Sequence, residues 1–417
     1  MRGHGRCVQR VRANPGRFQK EILWACRHNI TFDTQCEGPR AWFVYQLICC
    51  YEDQSPFLEA AVRALDRAKS DNSWKTLYLS ELLFYFAQDG VPCAARALWR
   101  KYDALYAVLS ARKRPPTAGS RFSARDDFAM LCEVLADSKE AILRIAEDIG
   151  RLYAKENIYD GWDFDWLFES KGKRYLPFLK RQAKKSENIA RYLGVGQAYE
   201  STSAEAAQAP SEKSPQSGTP LSLYLRKTAD SETVRRYVNE YLSRSAPEAR
   251  AAVLSAFCRC PYPDNPAPIL SDADASCEML KEAAWKALAN IRHPAARAFA
   301  ISHLEKEAEL ALPVLIKNYE KQDALLLQRF LEKITVDFDC TTAWHGIQMD
   351  LLYMESRGKS LPKSILLYIY ETTYCSCCRK EALVQMGKRR MLTTAILQEC
   401  IWDSNDEIRA FARKRVT

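Results

Sequence analysis

The chain has 417 residues, of which 47% are hydrophobic and 27% charged, and its formal net charge is +9. That balance is what a folded, soluble chain carries, and the length suffices for two ordinary domains or one long repeat array. It excludes a wholly disordered chain, and no run approaches the roughly 18–20 consecutive apolar residues of a membrane span.

The chain opens with MRGHGRCVQRVRANPG. This stretch is basic and lacks the apolar core of a secretory signal, so residues 1–16 are expected to form a disordered arm. Residues 17–199 read as an N-terminal helical region. Glycine is scarce, with 15 in the whole chain, and alternating β-branched runs are nearly absent. Helical spacing recurs instead. Leu58, Val62 and Leu65 share one face, as do Ile142, Ile145, Ile149 and Leu152. Ser55 followed by Pro56 is expected to place an N-cap before a proline suited to the first helical position.

Cysteine is abundant at 15, and pairs such as Cys49-Cys50 sit inside apolar helical patterns. There a thiol behaves as a small buried hydrophobe, which points to a reducing, cytoplasmic setting rather than a disulfide framework.

The most distinctive surface pattern lies at 160–185. Trp162, Phe164, Trp166 and Phe168 alternate with Asp163, Asp165 and Leu167. Lys171, Lys173, Arg174, Lys180, Arg181, Lys184 and Lys185 follow, with no acidic residue among them. Aromatic stacking beside clustered cations is the chemistry of nucleic-acid contact. The competing reading is the favoured one: the aromatics anchor an irregular segment and the cations form a solvated helix face.

Residues 200–220 are rich in Ser, Ala, Pro and Gln and poor in large apolar residues. Such a segment cannot offset the entropy of ordering it, so it is expected to be a disordered linker between two helical halves. The second half, 221–417, is again helical. Ser245 with Glu248, and Ser404 with Glu407, have capping-box spacing. Four prolines between 260 and 274 are expected to forbid a helix there. Leu280, Ala284, Ala287 and Ile291 step along one face, and His293-Pro294 interrupts one helix and opens the next.

Cys375, Cys377 and Cys378 form the sharpest chemical cluster. Cys375 and Cys378 have the C-x2-C spacing that suits tetrahedral zinc, and Cys340 with His345 upstream would complete a Cys3His set. Yet each segment begins a predicted helix, and no second C-x2-C exists. Buried thiols at a helix start are therefore the favoured reading; a structural zinc is the alternative and a redox switch the third. No cofactor is otherwise expected. No nucleophile elbow, Walker loop, metalloprotease motif or dinucleotide fingerprint appears, and the five histidines have no sequence-local catalytic partner, so no catalytic residue is assigned.

Arg-Ala-Phe-Ala occurs twice, at 297–300 and 409–412, and Arg250 and Arg379 sit in related contexts. The residue before each arginine is small or apolar, and an apolar or small residue follows three later. DSNDEIRAFARKR at 403–415 resembles the second helix of a HEAT repeat, and HPAARAFAISHL at 293–304 is similar. The resemblance covers mainly 221–417. It implies an α-solenoid of antiparallel helix pairs, in which Arg250, Arg297, Arg379 and Arg409 would hold repeat-structural corners.

Two functions are expected from it. The first is a non-enzymatic scaffold that binds a protein or peptide along the solenoid groove. The second is nucleic-acid binding, since some DNA glycosylases acting on alkylated bases are similar in being built from HEAT-like helices. No membrane partner is expected, and the sequence sets no oligomeric state.

Overall fold

Helical periodicity carries through to the computed structural model, which describes residues 3–34, 36–68, 73–111, 124–155, 173–194, 231–258, 260–333, 341–356 and 361–416. Among these residues there is no β-strand, and the fold is all-α. None of the described helices is long and apolar enough to cross a membrane. The linker expected at 200–220 lies outside the described residues. The chain divides into two compact units: Met1–Pro210 with Thr393–Thr417, and Ser211–Leu392.

The first unit begins with α1 (Arg6–Ala13), α2 (Gln19–Ala25), α3 (Ala41–Ile48), α4 (Ser55–Arg67), α5 (Ser73–Gln88), α6 (Pro92–Ser110), α7 (Ala124–Leu135), α8 (Lys139–Tyr153) and α9 (Lys173–Ala183). Neighbours in sequence pack against each other from α4 to α8, and every second helix lies beside the next but one. Thus α3, α5 and α7 form one row, while α2, α4, α6 and α8 form another. The stripe Ile142, Ile145, Ile149 and Leu152 on α8 is fully withdrawn from water, as its spacing requires. Ser138 caps this helix by accepting the Ala141 N–H at 3.1 Å.

Gly150 shows how closely the helices approach. A Cβ there would stand 2.0 Å from the Asn188 carbonyl oxygen of the helical segment 187–194. Alanine normally favours a helix interior over glycine by about 1 kcal/mol. Here overpacking, which costs about 1–3 kcal/mol, should win. Gly150→Ala is therefore expected to lower the urea midpoint, the reverse of its intrinsic propensity.

The second unit comprises α10 (Ser231–Ser243), α11 (Pro247–Leu254), α12 (Ala267–Ala273), α13 (Glu278–Leu288), α14 (Pro294–His303), α15 (Ala308–Lys317), α16 (Ala324–Lys333), α17 (Thr341–Ser356), α18 (Lys363–Thr372) and α19 (Ser376–Lys388). Helices α12 and α13, α14 and α15, and α18 and α19 pack as consecutive pairs. Helices α11, α13, α15, α17 and α19 form one continuous row; α12 packs on α14, and α16 on α18. The buried side chains include Trp285, Tyr241, Phe257 and Tyr370.

Two expectations about this unit change. The proline-rich stretch 260–274 contains α12, because Pro268 falls in its first turn, where no helical N–H is lost. Ser245 does not cap α11, whose N-cap residue is Ala246, without a side-chain bond. His293 does cap α14, its Nδ1 accepting the Ala295 N–H at 3.2 Å.

The chain ends with α20 (Thr394–Cys400) and α21 (Asp406–Val416), which belong to the first unit. Residues 393–417 thus part company with 221–392, with which the sequence reading grouped them. The arm expected to be disordered over 1–16 contains α1, which buries Val8 and Val11 and packs against α3 and α20. Gly5 makes that approach feasible, since a Cβ there would lie 1.8 Å from the Glu399 carbonyl oxygen. Arg6 pairs with Glu399 at 2.8 Å, and the Arg12 guanidinium lies 4.0 Å from the Trp402 ring centre. Asn405, rather than Ser404, caps α21 by accepting the N–H groups of Glu407 and Ile408.

Candidate functional site

The cysteine cluster follows from how α19 begins. Thr373 and Cys375 are extended, so the chain leaves α18 and turns abruptly into α19 with Cys375 as its N-cap. Cys378 lies three residues on and faces the same side of the first turn. Its backbone N–H donates to Cys375 Sγ at 3.5 Å. Both thiols are buried, at 2% and 5% exposure, whereas Cys377 between them is exposed. His345 enters from α17, which packs on α19. A ring nitrogen of His345 and the two sulfurs all lie within 4.8 Å of one another. Three of the four residues singled out for a metal thus converge, and Cys340 lies outside the described residues.

The basic segment is described only in part. Trp162, Trp166 and Lys171 lie outside the described residues, and Lys173 begins α9. Arg174, Lys180, Arg181, Lys184 and Lys185 are all exposed. Tyr175 and Leu179 bury the opposite side of α9. The two faces follow the 3.6-residue period.

The four arginines do not share one setting. Arg250 reaches Asp272 at 2.6 Å, and Tyr241 donates its hydroxyl to the same carboxylate. Arg297 donates through Nε to Asp323 at 2.9 Å and also engages it through Nη2. In both cases a guanidinium near the start of one helix holds a buried carboxylate supplied by a later segment. Arg379 is fully buried and donates to the Thr373 carbonyl. Arg409 stacks over Trp42 at 3.9 Å and donates to the carbonyls of Asp403 and Ser404. It therefore acts within the first unit and, among the described residues, forms no counterpart of the Arg297–Asp323 pair.

A second regular link escaped the sequence reading. The Asn290 amide donates to the Cys258 carbonyl at 2.7 Å, and the Asn318 amide to the Ile291 carbonyl at 2.9 Å. Each asparagine follows the row helix α13 or α15 and ties it back to the end of an earlier segment. The shared position after a helix end was the available signal.

A groove of about 620 Å³ opens across the C-terminal parts of α13, α15 and α17. Asn290, Arg292, Ile316, Lys317, Asp350 and Tyr353 contribute to its lining. Tyr353 is 61% exposed, and Met349 on the same helix is 52% exposed. An exposed aromatic beside two cations and one carboxylate can receive an apolar side chain and orient a charged neighbour.

Ser302, His303 and Asp274 lie within hydrogen-bonding distance in series, at 3.1 and 3.0 Å. The arrangement has the composition of a hydrolytic triad but not its proton inventory. Nδ1 of His303 sits 2.9 Å from the Phe299 carbonyl, so it donates there and cannot accept the Ser302 proton. Ser302 itself donates to that carbonyl at 2.8 Å. These groups close the end of α14 and supply no base for a nucleophile.

Comparison with protein-family models, curated proteins and solved structures returns no match for this chain.

Proposed function

We propose that the chain is a non-enzymatic interaction scaffold, an α-solenoid of HEAT-like helix pairs that holds a segment of a protein partner along the α13–α15–α17 row. The groove lined by the exposed ring of Tyr353 is the observation that supports it. Large apolar side chains left in water on a packed helical row contribute to binding when a partner covers them, and tyrosine is among the residues that dominate such interfaces. Arg292 and Lys317 beside them favour a partner segment with an acidic residue next to its apolar anchor. The abundance of cysteines, with no disulfide recorded among the described ones, supports the cytoplasm as the setting.

A photo-crosslinker at Tyr353 should label one defined partner, and nuclease treatment should leave the yield unchanged. Tyr353→Ala should weaken that complex about tenfold or more with the melting midpoint unchanged, because the ring is exposed. No labelled partner, or an affinity indifferent to Tyr353→Ala, would remove the reading.

The second reading is nucleic-acid contact through α9. Its support is the face of Arg174, Lys180, Arg181, Lys184 and Lys185, none of which forms an ion pair with a carboxylate among the described residues. Cations so arranged neutralise phosphates and release counterions. Replacing Lys180 and Lys184 by alanine should flatten the salt dependence of duplex DNA affinity by about one slope unit per contact. Undetectable binding at low salt would eliminate it.

A further inference from the structure

We propose that His345, Cys375 and Cys378 bind a zinc ion that fastens α17 to the start of α19. Three observations carry this beyond the buried-thiol reading. The first is convergence. The two cysteines belong to one helix start, but the histidine arrives from a different helix, and its ring nitrogen meets both sulfurs within 4.8 Å. Burial as small hydrophobes accounts for the two thiols alone, whereas the cluster also gathers a nitrogen donor from a separate helix.

The second is the donor set. Two sulfurs and one imidazole nitrogen form a soft-to-borderline trio that suits zinc and disfavours magnesium or calcium, which take oxygen ligands. Zinc binds sulfur at about 2.3 Å and nitrogen at about 2.0–2.1 Å, so tetrahedral donor atoms stand about 3.5–3.8 Å apart. Closing to that spacing takes a movement of about 1 Å, within reach of small side-chain rotations.

The third is the local backbone. The Cys378 N–H donates to Cys375 Sγ, and that sulfur occupies the N-cap of a 13-residue helix. A backbone N–H donated to sulfur is the kind of outer contact that holds a metal-ligating cysteine in orientation. The intervening Cys377 points into solvent, so the turn selects the first and last cysteines of the trio. Water or a further donor takes the fourth position. The inference is independent of the partner groove: the ion ties two row helices together and touches no partner.

Full-length protein produced without a metal-affinity tag should contain about one zinc per chain. Cobalt added to the metal-free chain should give a sulfur-to-cobalt charge-transfer band and the visible bands of a tetrahedral centre. Cys375→Ser, Cys378→Ser and His345→Asn should each lower the cobalt affinity at least about tenfold, as loss of a direct ligand does. Cys377→Ser should leave the affinity unchanged and is the internal control. Alkylation mapped by mass spectrometry should modify Cys377 at all times, and Cys375 and Cys378 only after a strong chelator is added.

The wild-type cobalt spectrum reads the site directly even if a ligand variant fails to fold. A wild-type chain that holds no zinc and develops no charge-transfer band overturns the proposal. So does recovery of Cys375 and Cys378 as a disulfide whether or not chelator is present, which would assign the pair to redox chemistry.

Discussion

Asp323→Ala is expected to destabilise the second unit by about 3 kcal/mol, among the largest single-residue effects in the chain. Asp323 is 3% exposed. Its carboxylate receives Nε of Arg297 at 2.9 Å, a second bond from the same guanidinium, and the Glu320 backbone N–H at 2.9 Å. The last contact is half of a reciprocal capping box that opens the short 3-10 turn Lys321–Asp323. Alanine would leave the guanidinium with only the exposed Glu320 carboxylate, 3.6 Å away, and a backbone donor without its acceptor. Breaking a buried pair by removing one partner costs about 3–5 kcal/mol, and the one-fifth exposure of the Arg297 side chain places the effect at the lower end.

The controls separate charge from packing. Asp323→Asn keeps an acceptor for both donors and should cost about half as much, since the bonds lose their ionic assistance. Replacing Arg297 by Met together with Asp323 by Leu should recover much of the loss, because neither buried charge then remains. Urea unfolding of the full chain, combined with hydrogen exchange of α14 and the following turn, reads both outcomes. A loss below about 1 kcal/mol for Asp323→Ala would mean that the ion pair contributes no more than an exposed one.

That pair also shows what the sequence could and could not disclose. Arg297 stood out because it follows a small residue at the start of a helix. Its acceptor lies 26 residues away, and no local spacing points to it. The repeated Arg-Ala-Phe-Ala specified two similar helix surfaces, yet Arg297 meets a carboxylate while Arg409 meets the face of Trp42. A four-residue motif fixes which side of a helix is small and which is charged. What covers it depends on residues hundreds of positions distant, as α1 against α20 illustrates.

Periodicity fared better, because burial follows directly from it. The Ile142–Leu152 stripe and the Leu280–Ile291 stripe are buried along their full lengths. The basic arm at the N-terminus misled for the same reason in reverse: its charges dominate its composition, while Val8 and Val11 alone determine that it packs. At the cysteine cluster the chemical identities and the C-x2-C spacing were legible. The meeting of His345 with Cys375 and Cys378 was not, since it depends on α17 packing on α19.

Trp285→Ala is expected to cost about 3–5 kcal/mol, through the lost burial and the cavity left behind. Trp285 is 1% exposed on α13, and its ring lies 5.1 Å from that of Phe299 and 5.7 Å from that of His303. Those two rings belong to α14 and lie tilted against each other with centres 4.1 Å apart, so the indole is one side of a three-ring contact joining two helices. Its loss should also release His303 from Asp274, and the near-ultraviolet signal should fall before the helical signal. Trp285→Phe should behave quite differently. The indole N–H is buried without an acceptor among the described residues, a state that itself costs about 1–3 kcal/mol. Phenylalanine leaves a smaller void and removes that unpaired donor, so the two terms oppose and the net loss should be about 1 kcal/mol or less. Thermal unfolding of the two variants compares them directly. If Trp285→Phe proved nearly as damaging as Trp285→Ala, the N–H would have to be bonded, and the ring would be held by polarity as well as by its area.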